Sequence, residues 1–448
     1  INPTKEKNIV SGNTCGLLGG PNTLEIHNCE EPNTKYCTAD TIVTTPTGEM
    51  PACPETSRVT INGINVPGCL YYDNLVDIPN PEGYYCYGDT NYSCSAEDTE
   101  YYNCEKTLTS DSNSDESGTC VNTGYQVIGN EELAQIKDIF DSGGILFRHG
   151  FDEQRRGCYK VKEFETEFCR FFKANHSLSV TSGTAALRVA LAALGIGSGD
   201  EVITQTFTFV ATAEAIIEAN ATPVFAEINN TLNIDPQLIE SKITQKTKAI
   251  IVVHMLGVPC EIDKKKTIFK KYNLFLIEDT AWGCGGRFGD EYLRTIGDIG
   301  TFSFDFAKTI TTGEGGMLLV KEKKIFNLAS AWHDHGHENN PLFPRWEDTR
   351  SSSGFNYRMM ELQGAVGLAQ LKKLNSIIKL QRKNKLSLWE NISDLEFIEP
   401  REIPKDSYET ADALIFFVPN KYFALECRKN LIQNGIGTKI LPEAYTWH

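Results

Sequence analysis

This chain of 448 residues has no apolar run of the roughly 20 residues needed to cross a bilayer as a helix, so the sequence offers no membrane span. It also lacks an excess of positive charge: 43 Lys and Arg stand against 59 Asp and Glu, a net charge of -16. That balance argues against nucleic acid or an anionic membrane as a partner. None of its 14 cysteines forms a Cys-x-x-Cys pair, which weakens a structural zinc reading. The chain begins at Ile1, without a methionine and without a visible signal peptide, and is expected to be processed or trimmed.

What is present is unevenly distributed. Residues 1–125 hold 18 acids and 5 bases, so most of the negative charge lies there. Nine cysteines lie there too: Cys15, Cys29, Cys37, Cys53, Cys69, Cys86, Cys94, Cys104 and Cys120. Their wide spacing suits disulfides in an oxidising compartment, and the odd count leaves one thiol free or paired with another chain; reduced cysteines in an intracellular domain are the alternative. Runs such as Arg58–Ile61 and Tyr84–Tyr87 sit between Gly, Pro and Asn turn signals. Residues 1–105 are therefore expected to form a small, acidic, β-rich, cysteine-rich domain, with residues 106–125 a polar linker. No catalytic constellation occurs in this part, and attachment or assembly is its expected role.

From residue 126 the pattern changes. Glu131–Phe140 and Val161–Phe172 read as amphipathic helices. Apolar strands then alternate with helices: Ser177–Val180, Thr184–Leu194, Glu201–Thr204, Val210–Glu218, Thr222–Ala226, Ala249–Met255 and Leu274–Ile277. Repeated β-α units with nearly continuous apolar strands predict an α/β domain, a mostly parallel sheet between helices, over residues 126–375. A long helix from Glu361 leads into a smaller α+β domain over 376–448, with Ala411–Val418 a strand and Phe423–Asn434 a helix. Ligands of such sheets bind beyond the carboxyl ends of the strands.

Several residues fall at those ends. Ser182, Gly183 and Thr184 form a strand-to-helix turn whose N–H groups and helix dipole favour an anion, although many helices begin this way with nothing bound. Phe209 precedes a helix and could stack on a flat ring or simply join the core. Asp279 ends an apolar strand, where a carboxylate needs a cationic partner or a turn to cap. Lys308 follows another strand; burial would favour its neutral amine, the form that attacks a carbonyl, whereas most lysines are solvated surface charges. Ser303, five residues earlier, could donate to a phosphate. His333, His335 and His337 alternate as metal ligands on one strand face would, but their glycine and polar flanks read as loop.

Taken in order, Ser182-Gly183-Thr184, Thr208-Phe209, Glu278-Asp279, Ser303-Phe304 with Lys308, Thr312–Gly316 and Gly354–Met359 resemble the DegT/DnrJ/EryC1/StrS aminotransferases from about Glu131 onward. The resemblance implies the type I pyridoxal phosphate-dependent aminotransferase fold and amination of a keto or aldehyde sugar used in surface polysaccharide synthesis, with glutamate as the expected amino donor. It implies that Lys308 is the Schiff-base lysine and Asp279 the partner of the pyridine nitrogen. Ser182, Gly183, Thr184 and Ser303 would hold phosphate, Phe209 would stack on the ring, and Asn356 would reach the phosphate of the neighbouring subunit in a homodimer with shared active sites. Trp282 stands where the family usually has glutamine beside the cofactor. His333–Pro341, Trp346–Arg350 and Thr438–His448 look similar to members that aminate C8 of an octulosonate. The chain stops where family members usually continue, so the small domain is expected to be incomplete. Two alternatives stay open: an aminotransferase fold reused as an extracellular or virion-surface protein, assembled through disulfides, and a sugar-binding module without turnover.

Overall fold

A computed structural model describes residues 123–440, except 262–265, 295, 341 and 351, together with a few short strands before residue 87. The chain divides into two compact units, Ile1–Thr119 and Cys120–His448. In the first, Arg58–Ile61 pairs antiparallel with Ile64–Pro67, and Tyr36–Cys37 lies between Ile42–Val43 and Leu70–Tyr71. The cysteine side chains of this unit, and with them the disulfide expectation, lie outside the described residues.

The second unit begins with two helices, α1 (Asn130–Asp141) and α2 (Lys160–Phe172). The alternation follows: β1 (His176–Val180), α3 (Gly183–Ala193), β2 (Glu201–Gln205), α4 (Val210–Glu218), β3 (Thr222–Ala226) and β4 (Thr247–Val253). Then come α5 (Lys266–Tyr272), β5 (Phe275–Asp279), β6 (Ile299–Ser303), β7 (Gly316–Val320) and α6 (Lys323–Trp332). The seven strands form one sheet in the order β3-β2-β4-β5-β6-β7-β1. The pairs from β3 to β6 are parallel; β7 runs antiparallel to both β6 and β1, since it returns directly from β6 by a turn. The sheet is thus mixed but mostly parallel, and its strands β4 to β7 are buried along nearly their whole length because both faces are covered there.

On one face, α3 buries Ala185, Ala186, Leu187, Ala190 and Leu191, the alanines allowing close approach to the sheet. On the other, Phe164, Phe168 and Phe172, one helical turn apart on α2, interleave with Phe302 and Phe304. Against them packs α7 (Glu361–Ile392). A Cβ at Gly367 would lie 2.6 Å from the Phe164 ring, so glycine is what admits that ring.

Beyond α7 the expected strand at 411–418 shrinks to Phe416–Phe417, paired with Glu399–Pro400. Ala411, the first residue of that stretch, takes a left-handed φ of 60°, so an extended run cannot start there. The last helix among the described residues, α8, spans Lys421–Gln433.

Candidate active site

The parallel strands deliver chemically active residues to one edge. Asp279 is the last residue of β5, Ser303 the last of β6, and Ser182 follows β1 by two residues. Ser182 caps α3, its Oγ accepting the Ala185 N–H at 3.0 Å. Gly183 is packed so closely on Ser303 that an added Cβ would lie 2.7 Å from the Ser303 Cβ. The phosphate candidates Ser182, Gly183 and Ser303 are therefore adjacent, at a helix start with unshared N–H groups. Thr184 is exposed on the same turn. This is a cradle for an anion.

Asp279 is buried. Its Oδ2 accepts the Thr212 hydroxyl at 3.1 Å and its Oδ1 the Ala281 N–H at 3.1 Å. Thr212 lies one turn into α4 and meets Thr208 at 2.9 Å, so the helix start, with Phe209 as cap, is tied to the carboxylate. Phe209 is 46% exposed at the sheet edge. Burial raises the Asp279 pKa despite these bonds and despite Lys308. Such a carboxylate is short of positive charge, and a protonated ring nitrogen would supply it.

Lys308 lies in the turn between β6 and β7, its backbone held by Asp305 O at 3.0 Å and by the Gly124 N–H at 3.0 Å. Its Nζ stands 3.5 Å from the centroid of the Trp282 ring. Burial lowers the amine pKa, opposed by Asp305, Asp279 and Asp412. The residues present therefore fit a phosphorylated pyridine aldehyde: an anion cradle, a half-exposed phenylalanine, a buried acid lacking a cation, and an amine pushed towards neutrality.

Asn356 is placed differently. It is exposed, bridges to Asp334, and its Oδ1 accepts the Arg358 N–H at 3.3 Å rather than turning to the lysine. The histidine run does not form one strand face. His333 caps α6 and is buried, His335 is exposed with φ 54°, and His337 meets Asp348 at 3.1 Å. Between them, Asp334 is clasped by His149, Arg345 and Arg358; burial would raise its carboxyl pKa, but His149 and Arg345 hold it well below the usual range.

Three contributors were not singled out from the sequence. Thr212 could have been found from its four-residue spacing after Thr208. His254, at the end of β4, is fully buried: its Nδ1 accepts the Cys260 N–H at 3.0 Å, so its Nε2–H points at Glu278, 3.1 Å away. Its own N–H holds the Asp279 carbonyl at 3.0 Å. Asp412, from the small C-terminal part, approaches Lys308, and no local signal marks it.

The sequence profile of the DegT/DnrJ/EryC1/StrS aminotransferase family matches residues 129–446. A GDP-perosamine synthase of Vibrio cholerae is 39% identical over 255 residues, 57% of this chain and 65% of its own length. This chain thus spans just under two thirds of that relative. An aminotransferase from Psychrobacter cryohalolentis superposes with a TM-score of 0.63 at 29% identity, covering 68% of this chain and 80% of that one. A GDP-4-keto-6-deoxy-D-mannose-3-dehydratase from E. coli, solved with bound hydrated pyridoxal phosphate, superposes with a TM-score of 0.62 at 26% identity, covering 69% and 82%.

Proposed function

The chain belongs to the DegT/DnrJ/EryC1/StrS aminotransferase family, and from that premise we propose that it transfers an amino group from an amino acid, glutamate first, to the carbonyl of a sugar. The cofactor is pyridoxal 5′-phosphate, which supplies an electron sink for the carbon that loses or gains a proton. The observation that carries the reading is the placement of Lys308 beside Asp279 at the sheet edge that also presents the Ser182–Gly183–Ser303 cradle.

Each residue has a definable part. Ser182, Gly183 and Ser303 would hold the phosphate. Asp279, with Thr212 and the Ala281 N–H holding its oxygens, would face the ring nitrogen and favour its protonated form. Phe209 would lie against the ring. Lys308, whose amine pKa burial lowers, would be the amine that bonds the aldehyde, and when free it would carry a proton to and from the substrate carbon as base and acid. Trp282 covers the lysine where family members usually offer an amide, so the cofactor's neighbour here is an aromatic face. Asn356, exposed on its loop, is assigned to the partner subunit's phosphate in a homodimer.

Incubation with pyridoxal phosphate should produce a visible absorbance band that Lys308→Ala abolishes, and glutamate should bleach it. Amino transfer is then assayed with a nucleotide-linked 4-keto-6-deoxy sugar and with an octulosonate bearing a C8 aldehyde. A band that persists in Lys308→Ala would sink the assignment. Sedimentation of the loaded protein as a monomer would remove the shared-site dimer.

A further inference from the structure

We propose that Asp412 is a positioning residue for Lys308, the carboxylate that pairs with its amine whenever that amine is free and charged; this rests on the cofactor–lysine reading above. Three geometric observations lead there. First, the Asp412 Oδ1 is buried and accepts no hydrogen bond from the described residues. A buried carboxylate oxygen in that state is costly unless something arrives to meet it. Second, its backbone is held deliberately. Ala411, just before it, adopts φ 60° without being glycine, a strained choice that the surroundings must enforce. The enforcement comes from Thr410, whose Oγ1 donates to the Trp282 carbonyl at 3.1 Å and whose N–H donates to the Gly257 carbonyl at 3.2 Å. Thr410 Oγ1 would lie 1.8 Å from a Cβ at Gly257, so only glycine there lets the segment dock. Third, the residue on which Thr410 docks is the one whose ring lies 3.5 Å from the Lys308 Nζ.

The other acids facing Lys308 already accept hydrogen bonds, Asp305 with one oxygen and Asp279 with both. Asp305 accepts the Ala307 N–H at 3.1 Å in its own turn. Asp279 uses one oxygen on Thr212 and the other on Ala281. On the Asp412 side, Glu409 is paired with Lys385 at 2.7 Å. Arg401 is anchored through Nε and Nη2 to the carbonyls of Thr231 and Met255, and its Nη1 is buried with no hydrogen-bond partner among the described residues. Lys308, whose amine makes no such carbonyl bond to the described residues, is the cation placed to move. Burial pushes the Asp412 carboxyl up to about 6 and the Lys308 amine down. Each group thus ionises more readily in the presence of the other's charge, and the buried lysine has a seat to occupy when substrate displaces it.

The test uses cofactor-free protein and needs no turnover. Lys308 is labelled competitively with acetic anhydride across a pH series and read by peptide mass spectrometry, in wild type, Asp412→Asn and Asp412→Ser. Loss of the carboxylate should move the Lys308 midpoint down by about one pH unit, with exposed lysines such as Lys162 as internal standards. Asp412→Ser serves where Asp412→Asn does not fold, and circular dichroism reports folding of both. Coincident midpoints in wild type and folded variant would overturn the proposal. The cofactor band is recorded separately: a preserved shift without a band overturns the cofactor reading alone, and a band without a shift overturns the Asp412 role alone.

Discussion

The Lys308 ammonium lies over the face of Trp282, 3.5 Å from its ring centroid. A cation on an aromatic face gains about 0.5–1 kcal/mol at partly exposed sites. Burial lowers the amine pKa, and the ring opposes that by favouring the charged form. Trp282→Leu should therefore lower the Lys308 labelling midpoint by about half a unit. An upward shift would mean that the ring acts chiefly by excluding water.

Thr212→Val removes the hydroxyl that Asp279 accepts at 3.1 Å. Losing one bond to a buried carboxylate costs about 1–3 kcal/mol. We expect a lower urea midpoint and cofactor binding weakened about tenfold, measured by absorbance titration. Wild-type cofactor affinity in Thr212→Val would detach Thr212 from the site.

Glu278→Gln breaks the deepest pair in the edge. Glu278 accepts N–H groups from Arg294 at 2.8 Å, Ile296 at 3.0 Å and Gly297 at 2.6 Å, besides the His254 ring. Burial alone would raise its pKa, but His254 and these N–H groups outweigh it, and the net direction is below the ordinary 4.5. A depressed acid contributes stability above its unfolded pKa and loses it as pH falls through the folded value. The variant should be less stable by about 1–3 kcal/mol at neutral pH, the cost of weakening buried hydrogen bonds to a charged acceptor. The gap should narrow below pH 4.5, where wild-type Glu278 takes up its proton. Chemical denaturation at several pH values checks both the size and the slope.

Asp412 has the opposite sign. Its folded pKa is raised by burial from 3.8 to about 6, so its contribution is present at low pH and is lost as pH rises through that interval. Asp412→Asn in the cofactor-free protein should match wild type near pH 3.8 and become the more stable of the two above about pH 6. Thermal melts across that range measure the difference. Equal melting curves at all pH values would show that Asp412 is not held in its buried, ionisable state.

The cofactor-free protein should also gain from an anion at the α3 start. Gly183→Ala places a Cβ 2.7 Å from that of Ser303, so the turn must open. Phosphate binding followed by calorimetry should be lost in Gly183→Ala, while the unfolding free energy measured in urea falls by about 1–3 kcal/mol through strain. Retained phosphate affinity would place the anion elsewhere.

Much of this architecture was written in local pattern. Apolar strands bounded by turns, and a phenylalanine stripe on Val161–Phe172, are short-range signals because each element must bury one face. Asp279 and Lys308 were visible for the same reason: polar residues that interrupt apolar runs at strand ends stand out in one dimension. The expected strand at 411–418 failed because a left-handed Ala411 leaves no trace in an otherwise β-prone sequence. Tertiary structure alone decided that Thr212 would hold Asp279, that Trp282 would lie under the lysine, and that a small-domain loop would carry Asp412 towards them. Those contacts join segments far apart in the chain, and no residue spacing encodes a meeting that depends on how a sheet twists and which helix docks on its edge.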